Sequence, residues 1–76
     1  MATKPNAFKY AIIVEKCGTV IQHESTLINI VHSFYHYEEH ERELLCIGEQ
    51  DKKTKGYYIL PKDLVMQRIE TRTNLN

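Results

Sequence analysis

Residues 27–37, LINIVHSFYHY, decide what this chain folds into, because two periodicities run through them. As a helix, Leu27, Ile30, Val31 and Phe34 line one face, with Ser25 where an N-cap belongs. As a strand, Ile28, Ile30 and Phe34 point one way, and Leu27, Val31, Tyr35 and Tyr37 the other. Composition separates the two. The segment holds Ile28, Ile30, Val31, Phe34, Tyr35 and Tyr37, and no Ala, Met, Lys or Glu. Such β-branched and aromatic side chains lose χ1 freedom against a helical turn and pack well on a pleated surface. We therefore read 27–37 as a long strand. The alternative is a helix over about 26–40.

The flanking segments read more directly. Residues 8–15, FKYAIIVE, have the aromatic and β-branched density of a strand. Residues 16–19 form a turn in which Gly18 supplies a positive φ. A short extended stretch follows at 19–21, and 22–25 is polar. The acidic run 38–43, EEHERE, is a connection with room for one helical turn. Residues 44–48 and 57–60 are strands, joined by the polar turn DKKTKG at 51–56 into a hairpin. Pro61 cannot donate to a ladder, so it interrupts the sheet. Residues 64–69, LVMQRI, make a final strand or a short helix. The chain reads as one small domain over 1–76, with ends that fray at about 1–6 and 71–76.

This order of elements is similar to that of SH3-like small barrels. So is the stretch Ile59-Leu60-Pro61-Lys62-Asp63-Leu64-Val65, which resembles the turn before their last strand. The resemblance implies a mainly β, five-stranded SH3-like barrel. The alternative fold is α+β, with the 26–40 helix packed on an antiparallel sheet. No Trp opens 44–48, so the resemblance does not extend to polyproline recognition, and fold by itself does not fix function.

A chain of 76 residues supports one small core of marginal stability. Ten Lys and Arg balance ten Asp and Glu, which excludes a strongly basic nucleic-acid tail. The longest apolar run is Tyr10 to Val14, far short of the roughly 20 residues a membrane helix needs. No apolar h-region follows Met1, so a cytoplasmic location with reduced cysteines is expected, and no membrane partner. Cys46 sits in an apolar run as a small core hydrophobe, and Cys17, beside Gly18, is the more exposed thiol.

His32, His36 and His40 recur every fourth residue. In a helix neighbouring pairs share a face, whereas in a strand residues four apart are separated by about 13 Å. The residues between the first pair, Ser33-Phe34-Tyr35, do not form the HExxH arrangement of zinc hydrolases. These histidines are expected to be surface residues beside carboxylates, and only weak metal candidates. Cys17 and His23 have the spacing of a thiolate–imidazole pair but no orienting third group. Gly18, Gly48 and Gly56 are isolated, so no phosphate-cradling loop exists. No cofactor and no enzymatic activity are expected.

Interaction chemistry is better represented. Lys52, Lys53 and Lys55 make a basic hairpin tip, which Lys62, Arg68 and Arg72 extend if a last strand lies alongside. Tyr57 and Tyr58 should point to opposite faces, one into the core and one outward for stacking. Glu39 and Glu43 stand in the acidic run, so the surface is bipolar and suited to steering a protein partner. The expectation is a small non-enzymatic protein-interaction domain, its partner another protein or a second copy. The alternative is a small nucleic-acid-binding barrel using Lys52, Lys53, Lys55, Tyr58 and Arg68, weak because net charge is balanced.

Overall fold

The computed structural model describes residues 9–74, with side chains through Ile69. Its elements are β1 (Tyr10–Val14), β2 (Val20–Glu24), α1 (Leu27–Phe34), α2 (Glu39–Arg42), β3 (Leu45–Gln50), β4 (Tyr57–Ile59) and α3 (Lys62–Asn74). The strands form one antiparallel sheet in the order β2-β1-β3-β4. β1 is inside the sheet, with Ile12 opposite both Gln22 and Ile47. A strand flanked on both edges suits the continuous apolar run YAIIV.

Two tight turns set the hairpins. Between β1 and β2, Gly18 takes φ 73° and its N–H donates to the Val14 carbonyl at 2.7 Å. Between β3 and β4, Asp51 organises the loop: its carboxylate accepts from the Lys53 N–H and the Thr54 hydroxyl, each at 3.1 Å. Lys55 there adopts φ 68°. β2 runs to Glu24, through the stretch that reads as a polar connection. A bulge pairs Ile13 with Val20 and Ile12 with Gln22, leaving Ile21 as the extra residue.

One face of the sheet carries the core. Tyr10, Ile12, Ile47 and Leu60 meet Leu27 and Ile30 of α1 and Val65 of α3. The long-strand reading of 27–37 is therefore overturned: the segment is α1, eight residues long, followed by a short link. Its cap is Thr26 rather than Ser25, for Asn29 N–H donates to Thr26 Oγ1 at 3.3 Å. The exposures show which periodicity prevailed. Leu27 and Ile30 are 1% and 0% exposed, while Ile28, which strand alternation would place beside Ile30, is 48% exposed. Helix propensity costs a few tenths of a kcal/mol for each β-branched residue. Burying Leu27 and Ile30 gains about 1.5–3 kcal/mol apiece, so tertiary packing outweighs local preference.

The connection 38–43 does contain a single helical turn, α2, in which Glu38 N–H donates to Glu41 Oε1 at 3.1 Å. Residues 64–69 are not a fifth strand. Pro61 ends β4, and its carbonyl accepts from Leu64 and Val65 N–H at 3.0 and 3.1 Å, which starts α3. Asp63 in the first turn suits the positive end of that helix. Among the described residues the sheet has four strands and is not closed, so they do not make the five-stranded SH3-like barrel; an antiparallel sheet plus helices describes their fold. Of the ends read as fraying, 1–6 and 75–76 lie outside the described residues, while the backbone of 71–74 continues α3. Among the described residues no helix is long and apolar enough to cross a membrane.

Candidate interaction groove

α1 and α3 pack on the same face of the sheet, and a groove of about 580 Å³ runs between them, lined also by residues of α2 and β3. Val31, Phe34, Leu45 and Ile69 contribute apolar walls that the core covers only in part. Tyr35 and Met66, 59% and 54% exposed, line it from opposite helices. The rim is charged, with Glu15, Glu39 and Glu43 against Arg42 and Lys62. Arg42 braces the corner between α1 and α2. Its guanidinium donates to the Tyr37 carbonyl at 2.6 Å and lies 4.9 Å from the centroid of the Tyr35 ring, a cation–π contact. Phe34 meets Tyr35 edge to face, with centroids 5.3 Å apart. The aromatic wall is thus held in place before anything binds.

The second feature is a charged bridge made by Arg68, in the same stretch of α3 that lines the groove. Glu49 is buried, and its carboxylate pairs with the Arg68 guanidinium, which also donates to the Tyr10 hydroxyl at 3.3 Å. Burial pulls the Arg68 pKa down, but the bonds to Glu49 and Tyr10 outweigh it and leave the guanidinium above its ordinary value. Arg68 was expected to extend the basic hairpin tip; it is instead turned inward, because α3 crosses the sheet face where Glu49 sits. Tyr58 lies beside the bridge, 47% exposed, and burial followed by its bond to Glu49 pushes its phenol up. Tyr57 is only half-buried, so neither tyrosine enters the core as one was expected to. In an edge strand of three residues, neither side chain is enclosed on both sides.

Lys52, Lys53 and Lys55 are exposed on the β3–β4 turn as expected. Glu39 and Glu43 face the groove, and so join its chemistry rather than that of the hairpin. The structure does not bring Cys17 to His23. The Cys17 thiol lies 3.0 Å from Thr19 Oγ1, and that hydrogen bond holds its pKa below the usual thiol value. Cys46 is half-buried beside the Ile13 carbonyl, and burial, then the charge of Glu15, pushes its pKa up. By register it shares the face of Ile13 and not of Ile12, so it lies outside the helix-covered core. Both cysteines are free. His32, in the last turn of α1, and His36, in the turn after its C-cap, bring their Nε2 atoms to 3.1 Å, with ring centroids 4.6 Å apart. His40, exposed in α2, is not part of that pair.

Sequence reasoning missed Glu49 as a buried partner and Val31, Phe34 and Met66 as groove residues. For Glu49 a signal existed: it lies two residues after Ile47 on one strand, hence on the same face. The groove had no signal until 64–69 was known to be helical.

Fold and groove together define an open-faced, four-stranded α+β domain with an amphipathic interhelical cleft. No protein-family model, curated protein or solved structure matches this chain.

Proposed function

We propose that this chain is a non-enzymatic protein-interaction domain whose groove receives a short apolar segment of a partner protein. The observation that carries this is the cleft between α1 and α3, with an apolar floor left partly uncovered and an exposed residue at each lip, Tyr35 and Met66. An apolar anchor in such a cleft supplies affinity, and charges at the rim supply register. Three carboxylates against two cations on the rim favour a segment with basic flanks.

Peptide display against the folded domain tests the reading. Enriched peptides are expected to combine an apolar anchor with Lys or Arg, and to shift the amide resonances of Val31, Phe34 and Met66. Tyr35→Ala and Met66→Glu, both at exposed positions, should abolish the enrichment while leaving the circular dichroism spectrum unchanged. Peptides that shift resonances elsewhere, or that bind both variants undiminished, overturn the groove. Sedimentation of the unliganded chain reports whether a second copy is the occupant.

The other reading is nucleic-acid binding at the hairpin. Three exposed lysines on one turn favour it, but Arg68, committed to Glu49, is withdrawn from that surface. It is the lesser of the two.

A further inference from the structure

A side-chain pair at the C-terminal end of α1 is used by neither the groove nor the core. His32 and His36 are both exposed, and their Nε2 atoms approach to 3.1 Å. His32 is in the last turn of α1, and beyond the C-cap the His36 N–H donates to the Ser33 carbonyl at 3.1 Å, so the chain keeps coiling and the two rings meet nearly perpendicular, at 85°. With Zn–N bonds of about 2.05 Å, an ion touching both nitrogens at this separation would subtend roughly 100°, between the square and tetrahedral angles. Imidazole nitrogen is a ligand for borderline divalent ions, with Cu²⁺ bound more tightly than Zn²⁺.

We propose that His32 and His36 form a two-imidazole chelate for a borderline divalent transition cation, Zn²⁺ or Cu²⁺. Rotation about χ2 turns both Nε2 lone pairs toward the ion. Among the described residues no third His, Cys, Asp or Glu joins the pair, so water fills the remaining positions. The site is therefore of moderate affinity and exchangeable, unlike a four-ligand structural zinc site. The two rings are held near each other before binding, because Leu27 and Ile30 anchor α1 on the sheet and the His36 N–H bond to the Ser33 carbonyl ties the following turn to it. The second imidazole thus binds at high effective concentration.

The test is calorimetric titration of the full chain with ZnCl₂ and, separately, CuCl₂ at pH 7.5. One ion per chain is expected, with copper bound more tightly. His32→Ala and His36→Ala should each weaken binding at least about tenfold, since each leaves a single imidazole. His32→Ala places a better helix former at an exposed site of α1, and His36→Ala changes an exposed turn residue beyond its end, so loss of binding would not reflect loss of α1. His40→Ala and Cys17→Ser should bind as the parent does. Zinc should shift the ring Hε1 resonances of His32 and His36 together and raise the thermal midpoint. Affinity unchanged in either alanine variant, binding that needs Cys17, or no binding below 1 mM metal overturns the chelate.

Discussion

A Cβ at position 48 would stand 2.8 Å from the Tyr58 carbonyl oxygen and overlap Ile13 Cδ1. Gly48 is therefore required by close approach across β3 and β4, whereas Gly18 is required by its backbone, at φ 73° with open space around it. Gly48→Ala is expected to cost about 1–3 kcal/mol through overpacking, read as a lower urea midpoint with an unchanged slope. The two thiols differ as sharply. Thr19 holds the exposed Cys17 pKa down, and burial pushes that of Cys46 up. The thiolate is the nucleophile, so Cys17 should alkylate with iodoacetamide well before Cys46 at pH 7.5. Its rate should reach half-maximum at a lower pH in the folded chain than in urea. Thr19→Ala should move that midpoint back up, and an unmoved midpoint would show that Thr19 does not set it.

At the scale of elements, α1 is held by its cap and two buried side chains. Thr26→Ala should cost about 1 kcal/mol by removing the cap. Ile30→Ala should cost about 2–5 kcal/mol, and Ile28→Ala, at an exposed position, within about 0.5 kcal/mol. Equal losses at 28 and 30 would contradict the helical face; denaturation of the three variants is the measurement. α3 depends on a different device. Arg68→Met leaves the Glu49 carboxylate buried without its cation. Breaking a fully buried pair costs about 3–5 kcal/mol, and solvent screening at Arg68, about one-third exposed, lowers that to roughly 2–3. Adding Glu49→Leu to the same chain should recover most of the loss, because both charges are then gone. If the double variant is no more stable than Arg68→Met, the cost lies elsewhere.

For the molecule as a whole, the charge layout separates the two binding surfaces. Glu39 and Glu43 border the groove, and the three lysines crown the hairpin turn. With zero net charge, phosphate attraction has little long-range support. Fluorescence anisotropy should find no binding to single-stranded RNA or DNA tighter than about 100 μM at physiological salt. Low-micromolar binding abolished by Lys52, Lys53 and Lys55→Ala would reverse the order of the two functional readings. The groove exists only because α1 and α3 lie on the same sheet face with β3 between them. It is a property of the assembled layers rather than of any one segment.

The local elements with their own chemistry were legible in the residues alone. Residues 8–15 read as a strand, Gly18 and the run 51–56 as turns, and Pro61 as an interruption of the sheet, because each rests on short-range sterics or hydrogen bonding. The basic hairpin tip and the more exposed character of Cys17 followed from the same positions. Residues 27–37 and 64–69 were decided elsewhere. Both carry apolar side chains that fit two periodicities, and the local preference of the first favoured the wrong one. An uncovered apolar sheet face, bearing Tyr10, Ile12 and Ile47, offered more free energy to a helical stripe than single-residue propensities could oppose. Once those two segments are helices, the barrel is lost, Arg68 turns onto Glu49, the groove opens over β3, and His32 meets His36. Each of these pairings joins residues whose proximity depends on a long-range packing choice, and that choice is made only in the tertiary structure.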